Sequence, residues 1–263
     1  MLSLGLKEGD LVFGHSNIGF FGRPRGAENT EQVCAGLLNA FLKILGPSGT
    51  LVLPAYTYSF AQGKEFDPTT TPSTCGAFSS YLLKHPKAVR SCDPNVSVVA
   101  IGGKALKMTE NPTENSYSPE GFFGRLLRHR GYIFSLNFQA ASTFVHYIER
   151  ELRVPYRFDK TFIGYLRDGK LLKRQSSTIW VRHLGSELTR TNLAAFEDLA
   201  NSSETYQLAS VGRGKIGLLS AADNYNILEA KLKENPWFLT DVNPENPPTL
   251  SPEQDLVDWT AAT

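Results

Sequence analysis

The chain has 263 residues, of which 41% are hydrophobic and 20% are charged. This length is enough for one large domain, or two small ones, with a real hydrophobic core. The 27 Lys and Arg residues nearly cancel the 26 Asp and Glu residues, so the charge balance does not indicate nucleic acid as a partner. We therefore expect a small-molecule partner.

Cysteine usage and hydropathy indicate the compartment. Cys34, Cys75 and Cys92 are odd in number, widely spaced and without a CxxC pair, which disfavours a disulfide framework or a structural zinc site. The sequence shows neither a basic leader followed by an apolar core nor an apolar run of about 18 residues. These patterns predict a soluble cytoplasmic protein with no metal and no membrane partner, and they leave the oligomeric state open.

Short apolar runs alternate with amphipathic patterns through the first half of the chain. This alternation predicts an α/β fold with a mostly parallel central sheet and flanking helices. The predicted elements are strands at 10–14, 49–54, 97–102 and 132–138, and helices at 30–45, 77–84 and 121–129, with a further helix that carries His146.

The pattern changes from about Phe162. Residues 162–170 predict a hairpin with an Asp168-Gly169 turn, continued by 176–183. We predict three parts: an α/β core at 1–161, a β-rich, more antiparallel part of the same globular unit at 162–242, and an extended Pro-rich tail at 243–263.

Residues 212–217 match the dinucleotide-binding pattern GxGxxG literally. Too little chain follows for a dinucleotide-binding domain. A loop that touches a bound donor, or packs on the sheet, is the preferred interpretation.

Polar residues cluster where ligands of open α/β sheets bind, beyond the carboxyl ends of the strands. The first strand leads into the polar, glycine-containing loop 15–22, ahead of a helix, where backbone N–H groups could bind phosphate. Residues 54–57 follow the second strand, 90–97 precede the third, and 140–149 follow the fourth. The sequence thus predicts a site at this edge. His15 fits either the site or the core, and we favour the core.

His146 and Glu149 are three residues apart, which places both side chains on one helical face. A carboxylate in that position can orient an imidazole and stabilise the cation that forms when it takes a proton. Such a pair is more often an ordinary surface or core contact. If Thr143 caps the helix, the helix dipole would also keep the ring neutral.

Motifs between about residues 9 and 160 occur in one consistent order. They are Gly9-Asp10, His15-Ser16, Leu45-Gly46, Gly49-Thr50, Pro54, Thr57, Phe66-Asp67-Pro68, Thr71-Pro72-Ser73, Gly76, Arg90-Ser91, Pro94, Ser97, Ala100, Gly102, Ala105, and finally Thr143, His146 and Glu149. In this order they resemble the aminoglycoside 3-N-acetyltransferase family, whose members transfer an acyl group from coenzyme A to an amine.

The sequence departs from the family pattern at two places. Asp93 stands where the family usually has a His, and the loop after Ser16 lacks a second Ser and a glycine pair. Asp93-Pro94 and the segment 154–162 resemble a branch of sugar and surface-glycan biosynthesis enzymes.

The resemblance implies an acetyl-CoA-dependent N-acyltransferase that acts on an amino sugar. Residues implied in catalysis are His146, Glu149, Thr143 and Asp93. Residues implied in donor binding are Ser16, Asn17, Ile18, Gly19, Phe20, Gly22, Thr71, Ser73 and Ser97. Residues implied in acceptor binding are Tyr56, Thr57, Tyr156, Arg157 and Lys160.

The residues also leave structural alternatives open. Asp93 could form an Asx turn before Pro94, Ser16 could cap a helix, and the basic segment around Arg157 and Lys160 could be ordinary solvated surface. Because that segment has more cations than carboxylates, we predict a nucleotide-linked, anionic acceptor.

Three alternative functions remain at this stage. One is an aminoglycoside 3-N-acetyltransferase that confers antibiotic resistance. Another is a Ser/His hydrolase with Ser97 or Ser142 as nucleophile, although no GxSxG elbow is present. The third is a non-catalytic module that binds acyl-CoA or a sugar nucleotide.

Overall fold

The computed structural model describes residues 1–251, apart from the side chain of Phe20. The strands are β1 Leu11–Ser16, β2 Thr50–Pro54, β3 Glu65–Phe66, β4 Val89–Arg90, β5 Val98–Gly102, β6 Tyr132–Leu136, β7 Arg157–Asp168, β8 Leu171–Arg182, β9 Gln207–Val211 and β10 Gly214–Ser220. The α-helices are α1 Thr30–Leu45, α2 Ala77–Leu83, α3 Ala105–Thr109, α4 Phe122–Arg128, α5 Phe144–Glu151, α6 Leu193–Asn201 and α7 Ala221–Glu234.

Seven strands form the central sheet in the order β4-β5-β2-β1-β6-β10-β9. The predicted α/β class with flanking helices is confirmed. Parallel pairing is confined to β1 with β2 and β1 with β6, so the sheet is mixed. The strand β5 returns from β4 after a seven-residue loop, and β10 returns from β9 after a two-residue turn. Both returning strands run antiparallel to their neighbours on each side.

Helices cover both faces of this sheet. Successive side chains of a strand point to opposite faces, and along the central strands both sets are apolar. Val12 faces α1 and packs in one core with Phe41. Phe13 faces the other way and packs in a second core with Phe123 of α4. The helix α1 begins where Asn29 Oδ1 accepts a hydrogen bond from Gln32 N at 3.0 Å, and it ends at Gly46 with φ of 63°.

The predicted hairpin is present as β7 and β8, and its turn uses Gly169 at φ of 58°. Both strands are 12 residues long, and β3 pairs with β7 as a third strand. The strand β7 begins at Arg157 and runs through residue 161, so the predicted division between 161 and 162 falls inside a continuous strand.

The C-terminal part adds α6, α7 and the β9–β10 hairpin, which were not predicted as elements. The GxGxxG match covers the turn of this hairpin and the first residues of β10, with Gly212 at φ of 57°. The strand β10 pairs with β6 in the central sheet. Residues 243–251 contain no regular element, and positions 252–263 of the predicted tail lie outside the described residues. Within residues 1–251, no helix combines the length and apolar character needed to cross a membrane.

Candidate active site

The candidate site lies at the edge where the carboxyl ends of β1, β2 and β6 emerge. Because β5 and β10 are antiparallel to their neighbours, they bring their amino ends to the same edge: Val98 pairs with Pro54, and Ile216 pairs with Leu136. The helix α5 follows β6 after seven residues and carries His146. The predicted convergence of four chain segments at one edge therefore matches the topology.

His146 and Glu149 form the central contact of the site. His146 Nδ1 lies 2.6 Å from Glu149 Oε2. The Glu149 side chain is 0% exposed, whereas that of His146 is 22% exposed. Since the carboxylate accepts the proton on Nδ1, the unprotonated nitrogen of the neutral ring is Nε2. This arrangement is that of a base with its orienting carboxylate.

Two residues predicted to bind the acceptor, Tyr156 and Arg157, contact Glu149. The Tyr156 hydroxyl donates to Glu149 Oε1 at 2.7 Å, and Arg157 Nε lies 2.9 Å from Glu149 Oε2 as an ion pair. Arg157 Nη2 also donates to Thr191 Oγ1 at 2.6 Å. Tyr156 is 0% exposed, so its predicted contact with a substrate is wrong. Arg157 also lines the cavity beside His146, and its contact with an acceptor stays a prediction.

The protonation states follow from burial and charge. Burial lowers the pKa of His146 below its ordinary 6.5, Arg157 lowers it further, and Glu149 opposes both. Burial alone would raise the pKa of Glu149, but Arg157, His146 and the Tyr156 hydroxyl outweigh that effect, and the net shift is downward. At neutral pH the pair is therefore a neutral imidazole beside an ionised carboxylate.

A cavity of about 480 Å³ opens beside the imidazole, and we call it the His146 cavity. Its walls come from α5, from the loop after β2, from the segment before α4 and from the β7–β8 hairpin. Its lining includes Thr57, Tyr117, Lys160, Trp180 and Arg182. The indole N–H of Trp180 is buried and has no hydrogen-bond partner within residues 1–251.

The cations after α5 are mostly neutralised by the protein itself. Arg150 makes two hydrogen bonds to Asp159, and Arg153 Nη1 reaches the same carboxylate at 3.2 Å. Arg157 is paired with Glu149 as described above. The excess of basic residues that the sequence suggested for an acceptor site is thus smaller than expected. The basic residues that line the cavity are Arg157, Lys160 and Arg182.

Thr143 does not cap α5 through its side chain. Its hydroxyl lies 3.1 Å from His15 Nε2, and the His15 ring stacks on Phe138 at 5.3 Å between centroids. Burial, with a smaller effect of His146, lowers the pKa of His15 to about 4. Tyr56 is edge-on to His15 at 6.4 Å and its hydroxyl is buried, so it lies beside Thr143 and behind the cavity wall. Thr57 does line the cavity.

Asp93 forms the Asx turn that the sequence allowed. Its Oδ1 accepts hydrogen bonds from the backbone N–H of Asn95 at 2.9 Å and of Val96 at 3.0 Å, and from the Ser116 hydroxyl at 2.9 Å. Burial raises the pKa of Asp93, and these three bonds oppose the rise. The carboxylate shapes the loop before β5, and any catalytic role for Asp93 stays a prediction.

The loop 15–22 leads from β1 into a short 3₁₀ turn at Ile18–Phe20, not into α1. The helix starts only at Thr30 with its own cap, Asn29, so the predicted position of the loop directly ahead of a helix and the capping alternative for Ser16 are both wrong. Asn17 and Gly19 are exposed, and Ser16, Ile18 and Gly22 are partly exposed. Their backbone could still contact a donor. The side chain of Phe20 lies outside what the structure describes.

Ser97 cannot contact a donor in this conformation, because it is 0% exposed. Its hydroxyl donates to Ala55 O at 2.6 Å and accepts from Arg90 Nε at 3.2 Å. Arg90 also reaches the Thr71 carbonyl, and burial lowers its pKa to about 10. The predicted donor contact of Ser97 is therefore wrong, and its role is to fasten loops behind the site.

The hydroxyl groups of Thr71 and Ser73 also accept hydrogen bonds from the backbone of their own loop. Thr71 Oγ1 accepts from Asp67 N at 2.8 Å, and Ser73 Oγ accepts from Cys75 N at 3.0 Å. Ser142 Oγ likewise accepts from Phe144 N at 3.2 Å. Because neither Ser97 nor Ser142 is bonded to a histidine, the geometry does not support the Ser/His hydrolase.

Comparison with known proteins identifies the family. The model of the aminoglycoside 3-N-acetyltransferase family matches residues 15–233. The chain belongs to this family. It is 27% identical over 277 residues to aminoglycoside N(3)-acetyltransferase IX of Micromonospora chalcea, covering 89% of this chain and 92% of that protein. It is 30% identical over 177 residues to aminoglycoside N(3)-acetyltransferase IV of a Salmonella species, covering 66% and 64%. The predicted family and enzyme class, an N-acetyltransferase, are confirmed.

Solved structures show the same fold. Aminoglycoside acetyltransferase AAC(3)-Xa superposes with a TM-score of 0.77 at 20% identity and covers 91% of this chain and 90% of its own. AAC-IIIb in its binary complex with CoASH gives a TM-score of 0.75 at 20% identity, covering 89% and 93%.

Several cavity residues were missed by the sequence reasoning. Tyr117, Trp180 and Arg182 lie on elements far from His146 in the chain, and no local motif marks them. The segment 154–162 was recognised, but the burial of Tyr156 and Arg157 against Glu149 depends on where the hairpin folds, which no short pattern encodes.

Proposed function

We propose that the protein transfers the acetyl group of acetyl-CoA to an amino group of an aminoglycoside-type sugar, with His146 as the general base. One observation carries the proposal: a neutral imidazole, held by a buried carboxylate, stands in the wall of a cavity of about 480 Å³. Family membership supplies the reaction class, and AAC-IIIb with CoASH and AAC-VIa with sisomicin supply the chemistry of donor and acceptor in relatives.

The reaction needs a base because a sugar amine is mostly protonated at neutral pH. The ammonium form first loses one proton to solvent. The neutral amine nitrogen then attacks the thioester carbonyl carbon and forms the C–N bond, while His146 Nε2 takes one of the two remaining amine protons. The C–S bond then breaks, and the thiolate of coenzyme A leaves with a proton returned by the imidazolium. Glu149 stabilises the positive charge on the ring between these steps. Thr143 acts as a positioning residue, since it ties the start of α5 to His15.

A thiol-release assay tests this proposal. Purified protein is incubated with acetyl-CoA and a panel of aminoglycosides and simple amino sugars, and free thiol is measured with and without amine. We expect release that depends on the amine and is lost in His146→Asn. Release without amine would indicate a hydrolase, and donor binding with no turnover on any amine would indicate a binding module.

A second candidate acceptor is an anionic amino sugar, such as a nucleotide-linked one. Among the described residues that line the His146 cavity, none is Asp or Glu, while Arg157, Lys160 and Arg182 are present. Arg182 Nη1 donates to Ser186 O at 3.4 Å, and its Nη2 lies 3.9 Å from Glu187 Oε1, on a side chain that is 79% exposed. A pocket for a polycation would be expected to contain carboxylates, so this observation favours an acceptor with negative charge or many hydroxyl acceptors.

The two acceptor classes separate kinetically. If the acceptor is anionic, Lys160→Gln with Arg182→Gln should raise the KM for a nucleotide-linked amino sugar by about tenfold with little change in kcat. Lys170→Gln at the hairpin tip, an exposed cation outside the cavity, is the matched control. Efficient turnover of aminoglycosides with none of nucleotide-linked sugars would assign the acceptor to the first class.

A further inference from the structure

The strand β9 leaves an open edge at one end of the central sheet. This sheet ends in β4 and β9, and the smaller sheet ends in β3 and β8. The strands β3 and β4 are only two residues long. The edge of β8 carries the exposed cations Lys173 and Arg174, and the backbone of Thr178 bonds to Glu114 and Ser116. Short length, charge and cover are ways in which soluble proteins keep sheet edges from pairing with another chain.

The edge of β9 has none of these protections. Its five residues, Gln207–Val211, include no charged residue and no proline, and they pair with β10 in an unbroken register. In the part of the chain that the structure describes, no segment other than β10 forms a backbone hydrogen bond with them. Leu208 is 46% exposed and Val211 is 42% exposed. A regular, uncharged edge of this kind is a template for a further strand.

The hairpin geometry decides which backbone groups of β9 face outward. Val211 pairs with Gly214 across a two-residue turn, and the pair that flanks such a turn is hydrogen-bonded. Because bonded and non-bonded pairs alternate along an antiparallel ladder, Ala209 also bonds towards β10. The backbone N–H and C=O groups of Leu208 and Ser210 therefore point away from the sheet.

These outward groups complement themselves. When a second copy adds its own β9 antiparallel about a two-fold axis at Ala209, Leu208 of each copy exchanges hydrogen bonds with Ser210 of the other. Ala209 then lies opposite Ala209, where the small side chain permits the close spacing of a non-bonded pair. The two central sheets join into one continuous sheet across the axis.

The same register brings opposite charges together beyond the ends of the strand. Arg213 comes opposite Thr205 of the second copy and beside its Glu204. The side chains of Arg213 and Glu204 are both exposed, and neither forms an ion pair within residues 1–251. The two-fold axis produces this contact twice. The charges that flank β9 thus complement those of a second copy.

We propose that the protein forms a symmetric dimer by antiparallel pairing of β9 with β9 of a second copy, and that two Arg213–Glu204 ion pairs fix the register. The backbone hydrogen bonds supply the pairing, and the charges exclude other registers. The partner is a second copy because the backbone pattern and the charge pattern are each self-complementary. Since the ion pairs are exposed, the dimer should weaken as the salt concentration rises.

A charge exchange followed by analytical ultracentrifugation tests the register. Over a series of concentrations, we expect the full unmodified chain to convert reversibly from monomer to dimer. Glu204→Arg and Arg213→Glu should each weaken the dimer by about tenfold or more, because each variant places like charges together. An equimolar mixture of the two variants should recover the dimer, since every contact then joins an arginine to a glutamate. Lys170→Glu, at an exposed position in the β7–β8 turn, is the control and should associate like the unmodified chain.

A proline tests the backbone pairing separately. In Ser210→Pro the lost N–H is one that faces away from β10, so we expect the hairpin and the melting temperature to be kept and the dimer to be lost. If this variant does not fold, the charge exchange decides the question alone. A chain that stays monomeric at every concentration would overturn the proposal. So would a dimer that neither charge reversal weakens, or a mixture that associates no better than the single variants.

Discussion

Around Glu149, which is 0% exposed, both carboxylate oxygens accept a hydrogen bond. At the turn Gly212–Gly214 between β9 and β10, which we call the glycine turn, Arg213 and Lys215 are exposed and form no ion pair within residues 1–251. The hydrogen bonds around Glu149 hold its charge in one geometry, whereas the exposed cations of the glycine turn are accessible to a ligand. Buried, fully paired groups can preset a protonation state, because removing any partner leaves an uncompensated charge. Exposed groups can only attract a ligand, and their effect weakens with salt. The predictions below separate these two kinds of contribution.

The largest effect is expected from His146→Ala. Without the base, the acceptor amine is not deprotonated as it attacks, so kcat should fall by about 10²–10⁴-fold while the affinity for coenzyme A stays nearly the same. His129→Ala, at the end of α4, is the control and should keep its activity. Retention of more than about a tenth of the rate in His146→Ala would remove this residue from the mechanism.

Arg157→Gln comes next, because it acts on both stability and chemistry. It leaves the buried Glu149 without its ion-pair partner, which should lower the free energy of unfolding by about 3 kcal/mol. Activity should fall by about 10–100-fold in the fraction that remains folded. Tyr156→Phe removes one neutral hydrogen bond from the same carboxylate and should cost about 1 kcal/mol. Equal and small effects of the two substitutions would mean that Arg157 is not the main counter-ion.

Gly19→Phe tests the exposed side of the comparison. A Cβ at this position would meet only Asn17 Oδ1 at 3.8 Å, so the fold has room for a side chain there. We expect a normal melting temperature but a KM for acetyl-CoA raised by about tenfold, since a ring would block the approach of the donor to the loop backbone. Unchanged donor affinity by calorimetry would place the donor away from loop 15–22.

The smallest effect is a shift in pH dependence. The base acts when deprotonated, so activity is lost as pH falls through the pKa of His146. Burial and Arg157 both lower that pKa below 6.5, and the acidic limb of the kcat profile should therefore lie below 6.5 in the unmodified enzyme. Arg157→Gln removes one of the two lowering effects, which should move the limb to higher pH. A limb that does not move would show that Arg157 has no influence on the protonation of His146.

The sequence by itself determined most elements of the first half, though not β3, β4 or α3, and the central pair of the site. The α/β class, the bounds of α1, the Asp168-Gly169 hairpin turn and the His146–Glu149 contact all depend on periodicities and spacings within a few residues, where local geometry decides the outcome. The order of motifs was sufficient to indicate the family.

Tertiary structure decided what each polar residue does. Tyr156, Arg157 and Ser97 are polar residues near a site, and the sequence offered no means of telling an internal partner from a ligand contact. Their burial depends on how the start of β7 packs against Glu149 of α5 and on how β5 pairs with β2, and both are set by tertiary packing. The same holds for the glycine turn, since its approach to Phe21 brings together residues almost 200 positions apart in a 263-residue chain. Contacts at such separation depend on the whole core, and no local pattern records them.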